Sequence, residues 1–328
     1  MKAIECKEFG PVSNLELVET TRPDAARGEV LIEVHAIGLN FPDGLIVQGL
    51  HMNKPDRPFI PGVEIAGVVR GIGPRSSRFS VGDRVVGMGW QGGFAEYVSI
   101  REGAVFAVPA TVSLDAAAAS LIVAGTAIHA LVDHARIAPE ESLLVLGAGG
   151  GVGVAAVAIG KLLGARVIAV ASSKEKLDLA RRQGADLCLN YAEEDLRQGL
   201  GRLVGTRAMD VVFDPVGGQS TEAALRDLRW GGRHLIIGFA AGEIPRVPIN
   251  LLLIKAATMT GVLWGSDLDR RPEHHAVHIQ TIMGWLASGA LMPEFETVRG
   301  LDALVPSLSR VMERRVAGKL VVQIGRSG

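Results

Sequence analysis

Five glycines fall between residues 147 and 153, where the chain reads GAGGGVG. Glycines at this density can do chemistry without side chains, by holding an anion on the main chain. The run Ala148-x-Gly150-x-x-Gly153 has the spacing of a dinucleotide turn, with alanine in first place, where a small residue still makes the turn. At Gly150 the missing side chain lets the backbone approach a pyrophosphate, and at Gly153 it lets the next helix pack closely. A helix N-terminus beginning here offers unpaired N–H groups and a partial positive charge to phosphates. Ala148, Gly149, Gly150, Gly151, Val152 and Gly153 are therefore candidate cofactor contacts.

About 20 residues further on, a dinucleotide site carries the residue that faces the adenosine ribose. That position is Ser172, followed by Ser173, with Lys176 one turn later. An acidic side chain there would accept from the ribose hydroxyls of NAD; two hydroxyls and an ammonium suit a 2′-phosphate instead. The residues thus favour NADPH. Ser172 can equally cap the next helix, with Lys176 merely solvated, and both readings can hold together.

These residues need elements to hold them. Leu143–Leu146 is a short apolar run that suits a buried parallel strand, and an apolar helix is expected from about Val154 to Leu163. Gly164 stops that helix, and Arg166–Ala171 makes a second β-branched strand. Residues 1 to about 118 read as mostly β, with short strands such as VLIEVHAI from Val30, GVEIAGVVRGI from Gly62 and FAEYVSI from Phe94. Glycines and prolines punctuate them, which suggests a partly closed antiparallel barrel. From Leu114 the chain becomes small and helical, and beyond Tyr191 strand and helix alternate again: AMDVVFD, a helix over Gln219–Leu228, GRHLIIGF and ATMTGVL. Helices over His274–Ser288 and Leu301–Glu313 and a strand over Lys319–Ile324 close it. A β region, a nucleotide unit and a C-terminal return predict a discontinuous first domain, with a ligand cleft between domains.

Composition narrows the function. With 328 residues, 48% hydrophobic, 21% charged and a net charge of −1, the chain gives no sign of nucleic acid or an anionic membrane as partner. MKAIECKEFG has no apolar signal core, so a cytoplasmic protein is the expectation. The two cysteines, Cys6 and Cys188, lie far apart and suit small buried hydrophobes; a structural zinc needs about four clustered Cys or His ligands. His129 and His134 fit a helix face, and His274, His275 and His278 a polar helix start. Asn40, Asp43 and His51 are the polar candidates for the cleft, and no nucleophile–base arrangement is present.

A longer series of motifs carries a resemblance. In order they are AIGLNFPD (Ala36–Asp43), PGVEIAG (Pro61–Gly67), VGDRVV (Val81–Val86), GGFAEYV (Gly92–Val98), GTAIHAL (Gly125–Leu131) and the Gly147–Gly153 turn. Asn190-Tyr191, DPVGG (Asp214–Gly218), WGGRHLIIGF (Trp230–Phe239), NLLLIK (Asn250–Lys255) and GKLV (Gly318–Val321) follow. The chain resembles the medium-chain dehydrogenase/reductase superfamily nearly end to end, and within it the zinc-independent, zeta-crystallin-like quinone oxidoreductases. The resemblance implies an α/β protein: a GroES-like, mostly β catalytic domain at 1–118 and 262–328, and a Rossmann NADPH-binding domain at 119–261. The zinc-dependent branch would place a Cys near residue 40 and a His before Glu64; Asn40 and Val63 stand there, so no metal is expected.

The same resemblance implies site roles. Asn40 would sit beside the nicotinamide ribose, and Asn40 and Asp43 are the catalytic candidates. Thr126 joins the glycine turn at the phosphates. Ser172, Ser173, Lys176 and Tyr191 would hold the 2′-phosphate. Val216 and Gly217 would lie over the cofactor, with the main chain at Gly238, Phe239, Leu263, Trp264 and Gly265 near the carboxamide. Arg315 would reach back to the phosphate, with Lys319 near the same end. The implied activity is NADPH-dependent quinone reduction. Reduction of activated alkenes and NADPH binding without turnover are the alternatives. A homodimer, paired through an edge strand near Leu251–Leu263, is the implied assembly.

Overall fold

The computed structural model describes residues 1–324 and falls into two compact units, Met1–Ile122 with the segment from Asp267 onward, and Val123–Ser266. The last four residues of the 262–328 segment lie outside the described residues. Strands β1 to β7 are Lys2–Glu5, Glu16–Glu19, Glu29–Leu39, Glu64–Ile72, Arg84–Met88, Tyr97–Arg101 and Val105–Ala107. Strands β8 to β13 are Ser142–Leu146, Arg166–Ala171, Leu187–Asn190, Met209–Asp214, Leu228–Ile236 and Thr258–Gly261. Phe295–Arg299 and Lys319–Gln323 are β14 and β15.

The first unit is organised on β3. This strand is rich in β-branched residues and pairs antiparallel with β4, β6 and β15, inside a seven-stranded sheet in which six strands run in the order β14-β15-β3-β4-β5-β7 and β6 joins off that path on β3. Its inward side chains Ile32, Ile37 and Leu39 join Ile65, Val69 and Phe94 in one apolar core. At its end the chain turns into a short helix, Phe41–Val47, for which Asn40 is the N-cap. Pro42 costs this helix nothing because the first N–H groups of a helix have no partner in it. Asp43 reaches back to accept the Asn40 N–H at 2.8 Å. The strand register then brings Lys319 beside Asn40, because Leu320 pairs with Leu39.

The second unit is an all-parallel six-stranded sheet in the order β10-β9-β8-β11-β12-β13. Counted from its own first strand this is 3-2-1-4-5-6, the doubly wound nucleotide-binding order. Strands β8, β9 and β11 are buried almost throughout, as parallel strands covered on both faces must be. The helix after β8 runs over Gly151–Leu162 rather than from Val154, because Gly150 is its N-cap. Its first-turn N–H groups therefore come from the glycine turn itself.

Other elements shift more modestly. Strand β12 begins at Leu228 and ends at Ile236, the first C-terminal helix starts at Pro272, and the second is a 3₁₀ turn at Leu301–Ala303 followed by Leu304–Met312. Among the described residues no helix is long and apolar enough to cross a membrane.

Candidate functional site

In the second unit the candidate residues other than Thr126 follow the C-terminal ends of strands. Gly147–Gly153 follows β8, Ser172–Lys176 follows β9, Tyr191 follows β10, Val216-Gly217 follows β11, Gly238-Phe239 follows β12 and Leu263–Gly265 follows β13. Ligands of open parallel sheets bind at this edge, at the point where strand order reverses. Here that point lies between β8 and β11, where a methyl group built on Gly147 would come within 2.9 Å of Val216 Cγ2. Gly217 stands equally close to the Phe239 ring. Thr126, half-buried on the helix Leu121–Ile128, follows Gly125, whose backbone lies against the buried Trp264 indole.

The glycines of the turn differ in what requires them. A Cβ on Gly153 would stand 2.2 Å from the Gly147 carbonyl oxygen, so the fold itself forbids a side chain there. A Cβ on Gly149 would collide with the aliphatic stem of Lys176, which lies across the turn. On Gly150 it would meet nothing nearer than 3.7 Å. The bare backbone at Gly150 is thus not a packing requirement, and the open space above it fits a ligand that approaches closely.

At the end of β9 the structure separates the two serines. Ser173, not Ser172, is the helix N-cap, its Oγ accepting the Lys176 N–H at 3.4 Å. Ser172 is left beside the strand end, and Tyr191, half exposed, ties its N–H to the Ala171 carbonyl at 3.2 Å. Ser172 and Tyr191 therefore flank one strand end, which carries no acid of its own, and Lys176 follows one turn later with its stem over Gly149.

Asp214 was not among the sequence candidates, yet it builds part of this edge. Fully buried, it accepts from the Val216 and Gly217 N–H groups at 2.9 Å each and from Thr221 Oγ1 at 2.6 Å, and meets His234 Nε2 at 3.1 Å. Burial works to raise its pKa, but the bonds from His234, Gly217 and Thr221 outweigh it and hold the carboxyl below its ordinary value. The Asp-Pro pair opening DPVGG was the available signal, since Asp bonds the backbone of its own turn.

In the first unit four polar side chains are sealed together: Asn40, Asp43, Glu64 and Lys319. Lys319 Nζ donates to Asn40 Oδ1 at 2.5 Å and to Glu64 Oε2 at 2.7 Å. Asn40 Nδ2 donates to Glu64 Oε2 at 2.8 Å and to the Gly38 carbonyl at 2.9 Å. Glu64 Oε1 takes the Ile122 N–H at 2.8 Å. Gly38 must be glycine for this, since its Cβ would lie 2.0 Å from the Ala118 carbonyl and 2.7 Å from Glu64. The signal for the network was a lone acid in the apolar PGVEIAG run, which cannot be buried without a partner.

Asp43 is corrected by the structure. Its carboxylate is fully buried and both oxygens accept main-chain N–H groups, from Asn40 at 2.8 Å and Val63 at 3.0 Å. Burial pushes its pKa up to about 7 against the pull of those bonds and of Lys319. It ties the helix start to the strand start and offers no face to a substrate. A zinc ion also does not fit here, because position 40 supplies an amide, position 63 a valine, and Glu64 is already held by an ammonium.

The remaining candidates of this unit have no bond to the network, and Cys188 belongs to the second unit. Arg315 is paired with Glu313. His51 accepts the Asn53 N–H on Nδ1 at 3.1 Å and rests against Trp90, and burial lowers its pKa. His275 and His278 are buried rather than solvated. Cys6 is buried as expected, whereas Cys188 is only partly covered, and both are free thiols.

Comparison with known proteins accords with this architecture. The family model for the alcohol dehydrogenase GroES-like domain matches residues 26–110, and that for the zinc-binding dehydrogenase matches residues 151–278. The order of strands and these matches define a medium-chain dehydrogenase/reductase, an oxidoreductase. Rat quinone oxidoreductase-like protein 2 is 35% identical over 297 residues, 90% of this chain and 85% of the rat protein. Human quinone oxidoreductase is 31% identical over 290 residues, 87% and 88% of the two chains. The structure of Escherichia coli quinone oxidoreductase complexed with NADPH superposes with a TM-score of 0.92 at 28% identity, covering 98% of this chain and 100% of the other. The chain belongs to the quinone oxidoreductase-like family of that superfamily.

Proposed function

We propose that this chain is a zinc-independent reductase that takes hydride from NADPH and passes it to a quinone. The observation that carries this reading is the end of β9, where Ser172 follows a strand with no acidic residue, the Tyr191 main chain is bonded to Ala171, and the Lys176 stem lies across the glycine turn. Such a group suits a phosphate and would not repel one. The choice of acceptor is supported by the resemblance to quinone oxidoreductases.

In this proposal the Gly147–Gly153 turn and Thr126 hold the pyrophosphate, and Ser172, Lys176 and Tyr191 hold the 2′-phosphate, with Ser173 shaping the turn as the cap. Val216 and Gly217 lie over the cofactor, and Gly238, Phe239, Leu263, Trp264 and Gly265 border its carboxamide. Asn40 stands at the nicotinamide ribose, and Arg315 exchanges Glu313 for phosphate. NADPH, when bound, supplies the hydride; a proton from solvent completes the hydroquinone, so no dedicated protein acid is required. What the chain contributes is position and exclusion of water. Residues 1–118 and 262–328 serve as the catalytic domain and 119–261 as the cofactor domain.

The assembly proposed is a homodimer formed along β13, whose outer edge is unpaired within the sheet, beside the exposed Ile249, Leu253 and Ile254. A solution mass checks it. A cytoplasmic location belongs to the same proposal, and cell fractionation tests it. The functional test is NADPH oxidation against a panel of quinones and a panel of α,β-unsaturated ketones and thioesters. Faster turnover of quinones is expected. A preference for the alkenes, or tight NADPH binding with turnover on neither panel, would overturn the acceptor assignment.

A further inference from the structure

The helix that holds Thr126 changes its winding before it ends. Leu121–Ile128 is α-helical, and His129–His134 continues it as a π-helix. The main chain shows the change, since the Ala135 N–H bonds to the Ala130 carbonyl, five residues back, at 2.9 Å. In an α-helix, residues five apart point away from each other. The wider π-turn brings them onto one face instead, and such turns recur at functional sites.

This turn brings together two imidazoles and a carboxylate, all within the second unit. His129 Nδ1 lies 2.5 Å from Asp133 Oδ2, and His129 Nε2 lies 3.2 Å from His134 Nε2. The rings meet edge to face, with centroids 4.6 Å apart. His129 is buried, whereas Asp133 and His134 are partly exposed.

A carboxylate that takes one imidazole N–H aims the other nitrogen. With Nδ1–H given to Asp133, His129 turns an acceptor Nε2 toward His134, the arrangement that supports metal-ligating histidines. Without an ion, one proton must lie between the two Nε2 atoms, because two bare lone pairs repel. A metal cation can take that proton's place, with His134 then carrying its own proton on Nδ1. Two nitrogens bound to one tetrahedral ion, each at about 2.0–2.1 Å, stand about 3.3 Å apart. The 3.2 Å found here needs little adjustment.

We propose that His129 and His134 form a site for one divalent transition ion of the imidazole-preferring class, zinc, nickel or copper, with Asp133 orienting His129 and water completing the coordination. The inference concerns ion binding by the second unit and depends neither on NADPH nor on the acceptor. Without an ion, the same three residues are a hydrogen-bonded chain that ties the π-turn, and the test separates the two.

The probe is Cu(II), which a nitrogen site binds most tightly among the divalent first-row ions. Titrated into the full chain after treatment with a chelator, it should give an electron paramagnetic resonance signal from one ion per chain with two imidazole nitrogens. His134→Gln, at a partly exposed position, should lose that signal while the chain still melts cooperatively. Asp133→Asn should keep it but weaken Cu(II) binding about 10–100-fold, the cost of losing such a supporting carboxylate. His274 and His278, four apart on the helix Pro272–Ser288, offer a competing pair. A signal that survives His134→Gln and disappears in His278→Gln would place the ion there and overturn the proposal. So would undiminished affinity in Asp133→Asn, or a wild type that binds no Cu(II) through imidazole.

Discussion

The two units treat buried polar groups in opposite ways. At the sheet edge of the second, main-chain N–H groups at the start of the helix Gly151–Leu162 have no partner within that helix, and Gly150 keeps the space above them open. In the first, four buried side chains are bonded to one another and to the main chain. A site made of backbone depends on the absence of a side chain and is indifferent to most neighbouring identities. A site made of a closed network depends on every member, because removing one leaves its partners buried and unpaired.

Substitutions can break that contrast directly. The largest effect is expected from Lys319→Met alone, which strands the Glu64 carboxylate; breaking a buried pair from one side costs about 3–5 kcal/mol. Urea denaturation checks it, and adding Glu64→Gln should recover much of the loss. A single variant as stable as the wild type would mean that the network is not closed as described.

Next comes a pH effect from Asp43, whose carboxyl is pushed up to about 7 from an ordinary value of 3.8. A raised pKa means that the fold holds the proton where the unfolded chain has lost it. Stability should therefore fall as pH rises from about 4 to about 7, by up to roughly 4 kcal/mol, and then level off. Asp43→Asn, unable to titrate, should lack this slope whatever its own fixed cost. Parallel stability curves for the two proteins would contradict the assignment.

A smaller pair sharpens the other side of the contrast. Gly153→Ala meets the Gly147 carbonyl at 2.2 Å and should cost about 1–3 kcal/mol of stability. Gly150→Ala has room and should change stability by less than about 0.5 kcal/mol. Under the proposed function it should nonetheless weaken NADPH binding, because its methyl enters the ligand's space. Thermal melts with and without NADPH separate the two, and equal behaviour would erase the distinction.

What could be read beforehand follows the same division. The β8–glycine turn–helix–β9 unit was legible because its spacing is local: strand, turn and helix lie within 30 residues of one another. The convergence of Val216, Phe239 and Trp264 on that edge came only through resemblance, since no spacing connects separate strand ends. The network was hidden further still, with Asn40 and Lys319 separated by 279 positions, and neither side chain announces its partner. The helix Phe41–Val47 was obscured by Pro42 and Gly44, which look like turn residues until the Asp43 cap is seen. Ser172 and Ser173 could not be told apart without the backbone angles that make Ser173 the cap.

The central claim is that NADPH is the hydride source for a quinone, and steady-state quinone reduction with NADPH and with NADH tests it most directly. kcat/KM with NADPH should exceed that with NADH by about 10-fold or more, as expected for charge-assisted bonds to a phosphate, and Ser172→Asp should narrow the ratio. Roughly equal values for the two cofactors, unmoved by Ser172→Asp, would contradict the account.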